Sequence, residues 1–168
     1  MTTAAQPPDA TELCISCGLC CNGVLYSRTK IESHEVSGLT AGLRVDQAGD
    51  HFRFQQPCKH HCEGRCVIYS QRFTQCRTFQ CALLKRFDAG EVALPEALKA
   101  VAEAKAMVAR VAALDPGSAL VVNRIARREE DFPRPGASDC PRTRLWLESL
   151  ALELFLDRTF RNKPVVRQ

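Results

Sequence analysis

Nothing in the sequence would carry the chain into or across a membrane. No apolar stretch approaches the roughly 18 residues that a bilayer span requires. The opening residues, Met-Thr-Thr-Ala-Ala-Gln-Pro-Pro-Asp-Ala, have neither the basic start nor the apolar run of a secretory signal. The expectation is a cytoplasmic protein with reduced thiols, which argues against a disulfide framework. A glycine-rich G-x-G-x-x-G loop is also missing, so a dinucleotide fold has no support. Charge is scarce in net terms. The chain carries +4 overall, and between His51 and Gly90 seven Lys/Arg face two acids, leaving the remainder near neutral. Internal repeats and low-complexity tracts are absent from the 168 residues, a length suited to one domain or one domain with a helical appendage.

What the sequence does hold is cysteine, ten in all. Four lie in Cys14-Ile-Ser-Cys17-Gly-Leu-Cys20-Cys21, and five more in Cys58-Lys-His-His-Cys62-Glu-Gly-Arg-Cys66 and Cys76-Arg-Thr-Phe-Gln-Cys81. Clustered thiols in a reducing compartment indicate metal or redox chemistry. Gly18 lets the first run turn without steric cost. Adjacent Cys20 and Cys21 would strain the backbone if aimed at one ion, so two metals or two roles are expected. The two clusters read as halves of one unit that meet in space. Cys14-x2-Cys17-x2-Cys20 matches the triple run of ferredoxin-type iron–sulfur proteins, which take a fourth cysteine from elsewhere. Structural zinc more often uses isolated C-x2-C pairs. The spacing leans to an iron–sulfur cluster, with zinc the alternative. The local basic charge suits four thiolates around either centre, whose net charge is negative, better than it suits a nucleic-acid patch. Cys58, Cys62 and Cys66 fall at steps of four, but Gly64 argues against a regular helix there. His60 and His61 are in a position to replace a thiolate, though solvent-facing positions are expected for both. His34 and His51 read as surface residues, and Cys140 as a bystander before Pro141.

The fold class expected is α+β and mostly helical: a small metal-stabilised cysteine-rich unit with a β-hairpin, then a three-helix C-terminal region. Residues 1–11 are polar and expected to be disordered. Residues 12–90 form the cysteine-cluster domain and 91–162 the helical region packed on it. Thr29-Lys-Ile-Glu32 has capping-box spacing and predicts a short helix. Leu39 to Gln55 reads as a hairpin turning at Gln47-Ala-Gly49-Asp50, which returns Cys58 toward the first run. Tyr69–Arg72 predicts one helical turn. Apolar spacing predicts helices over 94–114, with Pro95 in its first turn, and 116–130, then a linker at 131–137 and a last helix from Pro141 to Phe160. That last helix has a narrow polar stripe of Ser149, Glu153 and Asp157. Leu147, Leu150 and Leu154 are expected to be mostly core, with part of that face left for an unknown protein partner or a second copy.

Cys14-x2-Cys17-Gly-x-Cys20-Cys21, followed by Cys66-Val-Ile-Tyr69-x2-Arg72-x3-Cys76-Arg77-x-Phe79-x-Cys81, resembles the CxxCxxCC family. These are YkgJ-type cysteine-cluster proteins described as zinc- or iron-chelating domains. The resemblance covers about residues 12–82. It implies metal ligands at Cys14, Cys17, Cys20, Cys21, Cys58, Cys66, Cys76 and Cys81, and family arginines at Arg72 and Arg77. Phe73 stands where the family usually has proline, and Cys62 is an extra cysteine. The reading is therefore a metal-binding protein, chelating zinc or an iron–sulfur cluster in a structural or accessory role. Part of flagellin lysine N-methylase is similar to the same motifs, which keeps an iron–sulfur redox or protein-modification enzyme, or its subunit, as the alternative.

Overall fold

The computed structural model describes residues 8–36, 40–115 and 141–163. Its first element, α1 (Pro8–Cys17), begins inside the segment expected to be disordered. The correction has a packing cause: Ala10 and Leu13 are buried in the main core, and a proline is tolerated in a helix's first turn.

At Thr29 the expected helix is a strand, and the helical turn comes later, as a 3₁₀ turn at Ser33–Glu35 after Glu32. β1 (Arg28–Ile31) pairs antiparallel with β3 (His51–Gln55), and β3 also pairs with β2 (Val45–Ala48), giving the order β1-β3-β2. In this register Ile31 lies opposite Phe52 and Thr29 opposite Phe54. β-Branched residues suit a pleated, half-buried surface, and burying Ile31 in a small core with Phe54 and Phe73 overrides the local capping signal. The hairpin of β2 and β3 turns where the sequence predicts, with Gly49 at φ +65°.

A second ribbon joins β4 (His61–Cys62) to β5 (Arg65–Cys66). Glu63 and Gly64 turn it with φ of 49° and 77°, the double positive φ of a tight hairpin turn. After a 3₁₀ turn at Tyr69–Gln71 come α2 (Thr74–Thr78), α3 (Ala82–Asp88), α4 (Leu94–Leu114) and α5 (Pro141–Thr159). α4 starts as predicted: Pro95 lies in its first turn, and the Glu96 carboxylate accepts the Ala93 amide at 3.2 Å. The helix expected over 116–130, the linker at 131–137 and Cys140 lie outside the described residues. The described C-terminal region therefore shows two helices.

Two cores organise the chain. The larger takes Ala10, Leu13 and Leu19 from the N-terminal part, Leu83 and Leu84 from α3, Ala97, Val101 and Val111 from α4, and Leu152, Leu156 and Phe160 from the C-terminal part. It thus crosses the boundary expected near residue 90. The smaller is Ile31, Phe54 and Phe73, with the rings of Phe54 and Phe73 5.2 Å apart. Phe73, the residue in place of the family's proline, is 1% exposed and holds this second core together.

α5 reverses the facing read from its sequence. Ser149 and Glu153, members of the expected polar stripe, are buried, whereas Leu147 and Leu154 are 53% and 49% exposed. Arg161 causes the reversal. Its buried guanidinium donates to both Glu153 carboxylate oxygens at 2.9 and 3.1 Å and to Asp157 at 2.6 Å. A paired charge can sit inside, so Leu152 and Leu156 face the core and Leu154 does not. Glu153→Ala is expected to cost about 3–5 kcal/mol by leaving Arg161 buried without its main partner. Leu154→Ala is expected to cost about 1 kcal/mol or less, as at other exposed positions. Denaturant unfolding of both variants checks this, and the opposite ranking would refute the facing described.

Candidate metal centre

The thiols are delivered by different kinds of structure. Cys14 and Cys17 are three residues apart near the end of α1, so they share one helical face. Gly18 ends the helix at φ +64°, and its carbonyl accepts the amides of Cys21 and Asn22 at 3.0 Å each. This tight turn buries Leu19 and turns Cys20 and Cys21 back beside α1. Segment 56–58 then runs alongside: Gln56 donates its amide to Ser27 at 2.9 Å and Cys58 donates to Cys21 at 2.8 Å. The sheet hairpin does carry Cys58 back to the first run. The two cysteine runs meet, as expected.

Cys66 comes from the ribbon, directly opposite His61, whereas Cys62 is opposite Arg65. Cross-strand partners share a face, so His61 and Cys66 point one way and Cys62 the other. Cys62 is exposed, its Sγ donating to the Lys59 carbonyl at 3.5 Å. Cys76 lies in α2. The N-terminus of that helix is held by Glu35, whose Oε1 accepts from the Thr74 amide at 2.7 Å and the Thr74 hydroxyl at 2.8 Å. Cys81 caps α3, its sulfur accepting the Leu84 amide at 3.4 Å. The end of α5 fixes that cap, because Ala82 donates to the Phe160 carbonyl at 2.9 Å and Asn162 to the Gln80 carbonyl at 2.9 Å.

Seven of the eight expected ligands (Cys14, Cys17, Cys20, Cys21, Cys66, Cys76 and Cys81) line one cavity of about 110 Å³, and Cys58 packs against the smaller core. Electrostatics divides the thiols into two groups. Burial pushes Cys14 up to about 11 and Cys17 to about 12, and raises Cys20 well above its ordinary 9.0; Cys81 adds to all three. Burial likewise pushes Cys21 and Cys76 up to about 12, with Cys58 and Cys66 adding to both. Packing draws the same line: Cys14, Cys17, Cys20 and Cys81 lie against the larger core, Cys58 and Cys76 against the smaller. The groups are coupled at the Cys20–Cys21 peptide, where Cys21 also raises Cys20 and Cys17 also raises Cys21. Among the described residues, no three Cys, His, Asp or Glu side chains stand ready to hold a metal ion. The thiols surround the cavity without closing on a point in it. Binding requires thiolate, so closure is coupled to loss of their protons.

Arg72 stands at the junction. Its guanidinium lies 3.7 Å over the Tyr69 ring and donates to the Tyr69 carbonyl at 3.1 Å. Among the described residues it forms no ion pair with a carboxylate, and its charge favours the thiolates of both Cys14 and Cys76.

His61, expected to face solvent, is instead part of the cavity wall. Its Nε2 is buried without a hydrogen-bond partner among the described residues, and so are the Tyr69 hydroxyl and the Gln56 Oε1 in the same wall. The Glu63-Gly64 pair was the available signal, because a two-residue turn there sets position 61 opposite Cys66. His60 sits 6.5 Å from Phe73, ring to ring, and outside the cavity wall.

The described helices include none long and apolar enough to cross a membrane. The sequence matches the model of a family, CxxCxxCC, described as "putative zinc- or iron-chelating domain", over residues 13–103. The chain belongs to that family. The match spans both cysteine runs and the first half of α4. No curated protein and no solved structure matches the chain.

Glu35 gives this CxxCxxCC protein an acid-sensitive joint. Burial works against its charge, but the amides of Glu32 and Thr74 and the Thr74 hydroxyl outweigh it and hold the carboxyl below its ordinary 4.5. A carboxyl lowered in the fold stabilises fully above the unfolded value, and the contribution is lost as pH falls through the folded value. Glu35→Gln is expected to cost about 1–3 kcal/mol at neutral pH and to flatten the fall in melting temperature below pH 4.5. Melting curves of wild type and variant that stay parallel across that range would show that Glu35 is not the joint.

Proposed function

We propose that the chain is a metal-binding protein with two four-thiolate sites. Cys14, Cys17, Cys20 and Cys81 form one, and Cys21, Cys58, Cys66 and Cys76 the other. The grouping carries this reading: Cys14, Cys17, Cys20 and Cys81 pack against the larger core and Cys58 and Cys76 against the smaller, while Cys58, Cys66 and Cys76 are the thiols that chiefly raise Cys21. Four thiolates complete either a zinc tetrahedron or a cubane cluster. The first group combines a C-x2-C-x2-C run with one remote cysteine, the ligand pattern of a [4Fe–4S] cluster, and we assign an iron–sulfur cluster to it. The second group draws single cysteines from four places, which suits zinc as well as a cluster.

The donor set fits a metal in more than number. Buried thiols held neutral by their surroundings become competent only when a cation replaces their protons. Arg72, half-buried and without a carboxylate partner among the described residues, offsets the negative charge that four thiolates leave on each site. The Tyr69 hydroxyl and His61 Nε2 are buried hydrogen-bonding groups of residues that line the same cavity as the thiols.

The role these features support is structural. α3 is anchored in the larger core by Leu83 and Leu84, but the stretch from Pro57 to Cys81 has little beyond the three-residue smaller core, so metal ligation supplies what apolar burial does not. Purification without oxygen, with iron, zinc and acid-labile sulfide counted per chain, tests the assignment. Brown protein with labile sulfide and a broad visible band is expected. Colourless protein holding zinc alone would overturn the cluster, and protein without metal would overturn the chelating reading itself.

A further inference from the structure

One side chain of the distal segment reaches across to the proximal loop, and the thiol pattern does not account for it. His61 sits on β4 with its amide donating to the Cys58 carbonyl at 3.0 Å and its side chain on the face it shares with Cys66. The tip of its ring abuts Gly18, between Cys17 and Leu19. A methyl group added at Gly18 would come within 2.7 Å of His61 Nε2. Gly18 is therefore glycine for two reasons, its φ of +64° and the imidazole seated against it. The Nε2 is buried and finds no acceptor among the described residues. The Gly18 carbonyl beside it is already engaged by the amides of Cys21 and Asn22. The cavity wall to which the ring belongs also carries Cys17, Cys20, Cys21 and Cys66, among apolar side chains such as Leu19 and Leu25.

We propose that His61 is a positioning residue of the metal centre, donating its Nε2 proton to a metal-bound thiolate of the Cys17–Cys21 loop. The inference rests on the reading that these cysteines bind metal. A direct ligand role is not assigned, since each thiol group already numbers four. A thiolate bound to metal keeps negative charge on sulfur, and a buried N–H aimed at it satisfies both groups and holds the ligand in place. The imidazole would also tie the Cys66 ribbon to the Cys14–Cys21 loop, making each site sensitive to the other.

The test compares His61→Leu, His61→Gln and His61→Asn with wild type. Bound metal per chain and the concentration of EDTA that strips it are measured without oxygen. The Gln amide nitrogen falls near the position of Nε2, and that of Asn nearer Nδ1. His61→Leu and His61→Asn are expected to keep the wild-type metal content but lose it to EDTA about 10–100-fold more readily, with His61→Gln close to wild type. Unchanged resistance to EDTA in His61→Leu would overturn the proposal. So would a Gln variant as weak as Leu, which would point to shape rather than a donated proton. A drop in metal per chain would make His61 a ligand and overturn the positioning role. Wild type that purifies without metal would instead remove the metal reading on which the proposal stands.

Discussion

Serine at Cys20 and serine at Cys21 are expected to cost the protein two different metal sites, although the two residues are neighbours. Cys20 stands among Cys14, Cys17 and Cys81 and Cys21 chiefly among Cys58, Cys66 and Cys76, with Cys20 and Cys21 coupled across their shared peptide and Cys17 reaching both. A serine hydroxyl is a poor ligand for a soft metal, so each change opens the site it belongs to. Cys20→Ser should lose the first metal and leave Cys14, Cys17 and Cys81 open to alkylation. Cys21→Ser should lose the second and expose Cys58, Cys66 and Cys76. Metal counts per chain, with alkylated cysteines mapped by mass spectrometry, read both effects. The same set of thiols exposed in both variants would mean one shared site, and the partition would be wrong.

Removing all metal is expected to unfold residues 57–88 while α4 and α5 stay paired. The two parts differ in what holds them. α4 and α5 bury Val101, Ala104, Val111, Leu152, Leu156 and Phe160 together, and Arg110 on α4 meets Glu148 on α5 at 3.0 Å. Segment 57–88 has Phe73 in the smaller core, only Leu83 and Leu84 of α3 among its described residues buried in the larger one, short helices, and a ribbon of two-residue strands. Structural zinc contributes roughly 10–16 kcal/mol to units of this kind, far more than so small a core. Hydrogen exchange should then show protection collapsing across 57–88 on chelation and persisting in α4. Unchanged protection in 57–88 would show that packing holds the segment and that metal is a passenger.

Much of this was legible because it depends on neighbours in sequence. The 3.6-residue rhythm of α4 and the Gly-Asp turn of the hairpin are local signals, and the structure follows both. The strand at Thr29 was not legible. Its capping spacing is equally local, but the long-range pairing of β1 with β3 outweighs it. α5 misled for a related reason. Apolar on most sides, it has no facing of its own, and Arg161 beyond its end turns Glu153 inward.

The sequence by itself determined the chemistry: ten cysteines, their spacing and the family they mark, because ligand type and short spacings are written residue by residue. It also set the expectation that Cys20 and Cys21, joined by one peptide, serve two metals or two roles. Which cysteines lie near each was decided only by tertiary structure. The Phe160 and Asn162 contacts bring Cys81 to the proximal run, and the backbone bond between Cys58 and Cys21 brings the distal cysteines to the other side. Such contacts join residues tens of positions apart, and no spacing rule encodes them. His61 moved from surface to cavity wall for the same reason: a two-residue turn sets its face, and only the approach of Gly18 gives that face something to meet.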